Sequence, residues 1–263
     1  MIVVFSDLDG TLLDHSTYSY EESMPGVNML KEKSIPLVLV SSKTYDEMVI
    51  LHKELKLEAS FIFENGAGIA NYNSGNYTIS LNGKSSEELI NFKSVIEQML
   101  GVVITPLCHM STDDIVQYTG LKKEIAEKAA MRKGSMPFII KDSSFVMSLN
   151  DLNSYNNSLK EYELMMTRGG RFYHFSSINA NKGFALSKVI DEIKSTFGES
   201  EITSYAIGDS ENDIPMLKVV DNPFLVRKYN NTYIETGVTV TVTNEIGPKG
   251  FTEMVYFIMN EHK

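Results

Sequence analysis

The sequence predicts an α/β protein whose mostly parallel sheet is interrupted by a second, α+β unit. Three observations carry this expectation. Short apolar runs alternate with amphipathic helical segments as far as Gly66, the alternation lapses through the middle of the chain, and it resumes after about Ile178.

Ile2–Phe5 is apolar and rich in β-branched residues, as a strand buried on both faces requires. Pro25–Lys33 places Val27 and Leu30 on one side of a helix. Ile35–Val40 reads as a second buried strand, with Pro36 near its start, where a missing N–H is tolerated. A helix over Tyr45–Leu57 sets Met48, Leu51 and Leu55 on one face, and Ser60–Phe63 is a third strand running into Glu64-Asn65-Gly66.

The middle behaves differently. Ala67–Leu81 is rich in Asn, Gly, Ser and Tyr and reads as hairpin or loop. Ser85-Ser86-Glu87-Glu88 carries a capping box that opens a helix with Leu89, Phe92, Ile96 and Leu100 in register. Helices over Thr112–Tyr118 and Leu121–Arg132 follow, then strand-like runs at Pro137–Ile140 and Phe145–Leu149. A polar helix and a strand-like run at Arg171–Phe175 complete this part.

Lys182–Phe197 then forms a helix with Leu186, Val189, Ile190 and Ile193 along one side. Strands at Ile202–Ile207, Phe224–Val226 and Val238–Val242 alternate with a short helix at Ile214–Val219 and a last one at Lys249–Met259. The implied division is 1–82 and 178–263 for the α/β core and 83–177 for the insert, each of ordinary domain size.

Composition narrows the function classes. The 263 residues are 43% hydrophobic, ample for a buried core. The 34 acidic against 24 basic residues, a net charge of -10, argue against nucleic-acid binding, which needs a basic face to displace counterions. No apolar run approaches the ~20 residues of a membrane-spanning helix. Met1 leads directly into Ile2–Phe5 and Asp7 rather than into a secretory leader, and Cys108 is alone, so a cytoplasmic chain without disulfides is expected.

The chemistry concentrates at strand ends. Asp7 and Asp9, followed by Gly10-Thr11, close the first strand, where ligands of open α/β sheets gather. Alone, this could be an Asp-Gly turn. A second cluster, Gly208-Asp209-Ser210-Glu211-Asn212-Asp213, also follows an apolar strand and could equally be a solvated helix cap. Together they bring Asp7, Asp9, Asp209 and Asp213 to neighbouring strand ends, an all-oxygen set suited to Mg²⁺ rather than zinc. His174 and Cys108 lack zinc spacing, and His15, His52, His109 and His262 are isolated and expected mostly at the surface. Ser42, beside Ser41, offers a hydroxyl near a helix start, and Lys182 offers a compact ammonium, although such residues are ordinarily caps and solvated cations.

The ordered set Asp7-x-Asp9-Gly10-Thr11, Ser42, Lys182 and Gly208-Asp209-x-x-x-Asp213 resembles the four motifs of haloacid-dehalogenase-type phosphatases. The resemblance implies a Rossmann-like core with an inserted cap of the larger, C2 type. Ser41-Ser42-Lys43-Thr44, Glu64-Asn65-Gly66, Thr119-Gly120-Leu121 and Gly170-Arg171-Phe172-Tyr173 further resemble mannosyl-3-phosphoglycerate phosphatases; Tyr45 departs from them, since many members have Arg there.

By that resemblance Asp7 is the nucleophile and Asp9 the general acid–base. Asp7, Asp9, Asp209 and Asp213 hold Mg²⁺, with Asp9 contributing its main-chain carbonyl, and Ser42 and Lys182 bind the transferring phosphoryl. Lys43, Thr44, Asn65, Arg168, Arg171 and His174 are candidates for contact with a sugar-glycerate phosphate. A monomer or homodimer is expected. Glucosyl-3-phosphoglycerate or hexose-phosphate hydrolysis, a mutase-like phosphoryl transfer and a silent sugar-phosphate binder are the competing readings.

Overall fold

The structure is a computed structural model that describes residues 1–169, 172–197 and 201–262. The first stretch runs β1 (Ile2–Ser6), α1 (Met24–Glu32), β2 (Leu37–Val40), α2 (Tyr45–Glu54), β3 (Phe61–Phe63) and the hairpin β4 (Gly68–Asn73) and β5 (Asn76–Leu81). The insert holds α3 (Ser86–Ile90), α4 (Lys93–Leu100), β6 (Ile104–Pro106), α5 (Thr112–Thr119), α6 (Lys123–Ala130) and β7 (Ser135–Ile140). It continues with α7 (Leu149–Leu159), β8 (Leu164–Arg168) and β9 (Tyr173–Ser177). The chain returns through α8 (Lys182–Phe197), β10 (Thr203–Gly208), α9 (Ile214–Leu217), β11 (Asn222–Arg227), β12 (Thr241–Ile246) and α10 (Gly247–Glu261). None of the described helices is long and apolar enough to cross a membrane.

The large sheet has the order β12-β11-β10-β1-β2-β3-β4-β5. It is parallel from β12 to β3, and the β4–β5 hairpin adds an antiparallel edge. β1 lies inside it because its residues are apolar on both faces. Val4 packs with Val27 and Leu30 of α1, Met48 of α2 and Phe251 of α10, while Val3 and Phe5 pack with Ala185 and Leu186 of α8 and Met216 of α9. Each of these buried Val, Leu, Met and Phe side chains contributes about 1.5–3 kcal/mol of transfer free energy. The register Ser6↔Ile207 sets the ends of β1 and β10 side by side, so the residues following both strands emerge at one edge.

The insert forms a four-stranded antiparallel sheet, β6-β7-β9-β8. Side chains alternate across it. Met136, Phe138, Leu164, Met166 and Phe175 pack on the helices, whereas Ser135, Met165, Thr167, His174 and Ser176 line a cleft toward the large sheet.

Several sequence expectations are corrected. Phe145–Leu149 is not a strand; Ser148 caps α7 through a capping box with Asp151, which ends the extended run. The helix expected to run unbroken from Ser86 to Leu100 is interrupted between Ile90 and Lys93. His52 is buried rather than superficial: Nε2 donates to the Ala59 carbonyl at 2.7 Å, and Nδ1 accepts from the Tyr77 hydroxyl at 2.9 Å. Burial lowers its pKa against the pull of that carbonyl, and the ring sits neutral.

His52 belongs to an aromatic cluster under the hairpin. The fully buried Phe61 ring lies 5.4 Å from His52, 5.7 Å from Tyr77 and 5.9 Å from Tyr45. Phe61→Ala is expected to lower the unfolding free energy by about 3–5 kcal/mol with an unchanged denaturant slope in urea titrations.

Candidate active site

The site forms where β1 and β10 end. Asp7 immediately follows β1 and donates its N–H to the Ile207 carbonyl at 3.0 Å, which ties the two strand ends together. Gly10 turns the chain after Asp9 at φ +87°, and a Cβ there would stand 2.9 Å from Asp209 Oδ2. Conformation and close approach both demand glycine at that position.

Lys182 opens α8 with its ammonium wholly buried, 2.6 Å from Asp7 Oδ1 and 2.5 Å from Asp213 Oδ1. Asp213 is also fully buried, and its Oδ2 accepts the N–H groups of Asp209 and Ser210, each at 3.0 Å. Both Asp213 oxygens are therefore committed, one to the ammonium and one to the loop that carries Asp209. A Cβ on Gly208 would stand 2.5 Å from Asp213 Cγ, so this carboxylate occupies the space a side chain would fill.

Charge is unbalanced here. Asp7, Asp209 and Asp213 place carboxylate oxygens within 4.8 Å of one another around one ammonium. Burial, then repulsion from Asp213, push the Asp7 carboxyl up to about 8 despite Lys182. Burial and Asp213 likewise raise Asp209. Burial by itself would favour a neutral Lys182, but the Asp213 and Asp7 carboxylates outweigh it and hold the ammonium above the ordinary lysine range. Surplus carboxylates among hard oxygen donors fit a divalent cation, with Asp7 and Asp209 keeping oxygens for it. The Asp9 side chain stands apart from this cluster.

Around this centre, the Lys43 ammonium lies 2.8 Å from Asp9 Oδ1 and 5.1 Å over the Tyr18 ring. Burial opposes its charge, but Asp9 outweighs that and raises its pKa. Ser42, Asn65, His174 and Lys182 all line a cleft of about 790 Å³ between the two sheets. Asn65 Oδ1 accepts from Asn212 at 3.1 Å. Enclosure, then the neighbouring Arg132, drive the His174 pKa down to about 4, so the ring is neutral.

Thr44 is outside the cleft. It is fully buried as the cap of α2, with its hydroxyl engaged by Glu47 at 2.9 Å and by the Lys128 carbonyl at 3.0 Å. Arg171 lies outside the described residues, and Arg168 lines the cleft from the exposed end of β8.

Two participants escaped the sequence reading. Glu64, whose run with Asn65 and Gly66 carries part of the family resemblance but no role of its own, is buried in a left-handed conformation at φ 51°. Its carboxylate accepts from Lys133 N at 2.7 Å, Gly134 N at 3.1 Å and Ser135 Oγ at 2.6 Å, fastening the start of β7 to the large domain. Arg132, at the end of α6, reaches across to the Ser42 carbonyl at 2.8 Å. The sequence marks no role for either side chain; a positive φ at Glu and a bond to a distant carbonyl exist only in three dimensions.

Residues 4–247 match the family described as haloacid dehalogenase-like hydrolase. A glucosyl-3-phosphoglycerate/mannosyl-3-phosphoglycerate phosphatase from Persephonella marina is 35% identical, covering 99% of this chain and 98% of that protein. One of the same name from Methanococcoides burtonii is 31% identical over 99% of this chain and 98% of its own length. A solved haloacid dehalogenase-like hydrolase from Bacteroides thetaiotaomicron shares the fold, with a TM-score of 0.68 at 18% identity over 97% of this chain and 98% of that one.

The raised Asp7 carboxyl has a measurable consequence. The folded chain holds that proton more tightly than the unfolded chain, so stability declines as pH rises from the ordinary 3.8 toward about 8. His174, lowered from 6.5, acts only below that value, and Lys182 only above 10.5. In chelator, the unfolding free energy from urea titrations is expected to fall between pH 6.5 and pH 8.5 (roughly the window left to Asp7), and Asp7→Asn to flatten that slope.

Proposed function

The chain belongs to the haloacid dehalogenase-like hydrolases, and we propose that it is a Mg²⁺-dependent phosphatase that releases phosphate from a glycosyl-3-phosphoglycerate through an aspartyl-phosphate. The observation that carries this reading is the Asp7 carboxylate, buried against Lys182 at the end of β1, with a second carboxylate, Asp9, two residues on. A binder needs no second acid beside its buried one; a two-step displacement does.

The residues divide the work. Asp7 attacks phosphorus, forming an acyl-phosphate bond as the bond to the sugar-glycerate oxygen breaks. Asp9 gives that oxygen its proton, then takes one from the water that attacks the aspartyl-phosphate, releasing phosphate and restoring Asp7. Lys43 holds the Asp9 carboxylate in place through its 2.8 Å contact. Lys182 favours the ionised form of Asp7 and, with the Ser42 hydroxyl, offers donors to the equatorial phosphoryl oxygens. Asp213 positions Lys182 and the Asp209 loop.

Mg²⁺ held by Asp7, Asp209 and the Asp9 main-chain carbonyl, with Asp213 behind them, would neutralise the surplus carboxylates and screen the approaching phosphate. The core chemistry is indifferent to the leaving group, so selectivity belongs to the insert that roofs the cleft, acting as a cap over residues 83–177. The names of the Persephonella and Methanococcoides relatives carry both sugars, and we extend the reading to glucosyl as well as mannosyl esters.

Phosphate release with Mg²⁺ or with chelator tests this directly. Both glycosyl-3-phosphoglycerates should turn over with Mg²⁺, lose turnover in chelator, and exceed simple hexose phosphates by at least about 100-fold in kcat/KM. Hexose phosphates hydrolysed as fast as the glycerate esters would sink the assignment. Asp7→Asn is expected to lose at least about 1,000-fold in kcat while remaining folded by circular dichroism, and near-normal turnover would remove the covalent step.

A further inference from the structure

The cationic groups around the cleft are differently employed. Lys182 is shared between Asp7 and Asp213, and Lys43 is paired with Asp9. Arg132 forms no ion pair with any described acidic residue. Glu64 shares the wall with it, but both Glu64 oxygens are filled by Lys133, Gly134 and Ser135.

Arg132 is nonetheless held in place. Nε donates to the Ala129 carbonyl at 3.1 Å and Nη1 to the Ser42 carbonyl at 2.8 Å. Two main-chain carbonyls fix the plane of the fork without cancelling its charge, and its remaining N–H groups have no partner among the described residues. A fixed, partly buried guanidinium in this state is matched by a planar anion presenting two oxygens. His174, on the same cleft wall and neutral, offers a further N–H without adding charge.

The place of the fork names the anion. Its core-side anchor is the carbonyl of Ser42, the residue assigned to the phosphoryl group. The second anion must therefore sit beside the phosphate, as the carboxylate of a phosphoglycerate does on the same short carbon chain. We propose that Arg132 binds the glycerate carboxylate of the substrate. One anchor lies on the core and the other on the cap, so the fork is complete only when the cap is seated. Carboxylate recognition and cap closure are then one event. This inference rests on the glycosyl-3-phosphoglycerate reading for its ligand.

The test compares glucosyl-3-phosphoglycerate with its carboxamide, in which the glycerate carboxylate is converted to an uncharged amide. For the unmodified enzyme the carboxylate substrate should be preferred in kcat/KM by about 10- to 100-fold. In Arg132→Gln that preference should collapse to within a few-fold, mainly through KM, and Arg132→Lys should restore part of it. The ratio is independent of the fraction of enzyme folded, so a preference retained in Arg132→Gln overturns the proposal.

A second arm measures D-glycerate as an inhibitor of p-nitrophenyl phosphate hydrolysis. Inhibition should weaken by about 10-fold or more in Arg132→Gln, and an unchanged inhibition constant also counts against the site. If the unmodified enzyme ignores the glycosyl esters while glycerate inhibition still depends on Arg132, the carboxylate site stands and the substrate reading falls. If the esters are hydrolysed with an Arg132-independent preference, the substrate reading stands and Arg132 falls.

Discussion

One ammonium organises this molecule. Lys182 is removed from water and placed between Asp7 and Asp213, 2.6 Å and 2.5 Å away. Burying an ion is costly unless its partners are close and themselves hydrogen-bonded, and breaking one partner leaves an uncompensated charge. The architecture around it meets those terms. β1 and β10 are neighbours in register, α8 begins under their ends, and the 208–213 loop folds back so that Asp213 takes N–H bonds from its own chain.

The same arrangement explains how a protein with a net charge of -10 accommodates an anionic substrate. Net charge governs solubility and long-range fields, whereas docking of a phosphate depends on the sign at one point. At that point Lys182, Lys43 and Arg132 come from three distant parts of the chain, and the carboxylates clustered beside Lys182 form a set that could hold a divalent cation. The roof is supplied separately. Alternation along β7, β8 and β9 turns apolar residues to the helices and, Met165 apart, polar ones to the cleft, while Glu64 fastens β7 to the core.

Much of this was legible in the sequence because it is local or ordered along the chain. Apolar runs marked β1 and β2, helical spacing marked α2 and α8, and a capping box marked the start of α3. Asp7, Asp9, Asp209 and Lys182 were readable because strand ends and chain order fix where such residues emerge. What failed was what depends on contact. Phe145–Leu149 has strand composition, yet a cap two residues from Val146 commits the chain to a helix instead. His52 looked isolated because Ala59 and Tyr77, its partners, are recruited by tertiary packing. Thr44 sits in a motif, but its hydroxyl serves a helix end and a carbonyl of α6.

The separation of Asp7 from Lys182, 175 residues in sequence, also shapes how the protein is made. A chain emerging from the ribosome presents β1 early, paired on one side with β2 and bare on the other. β10, which covers that bare edge, is synthesised only after the whole insert. Until then a central strand is an open edge, the kind of surface that invites pairing with other chains. The insert can pack its own sheet in that interval, but the core closes through contacts of long sequence separation, a topology that folds slowly. The interrupted chain order that assembles the site thus also sets the interval during which the nascent protein is most exposed to aggregation.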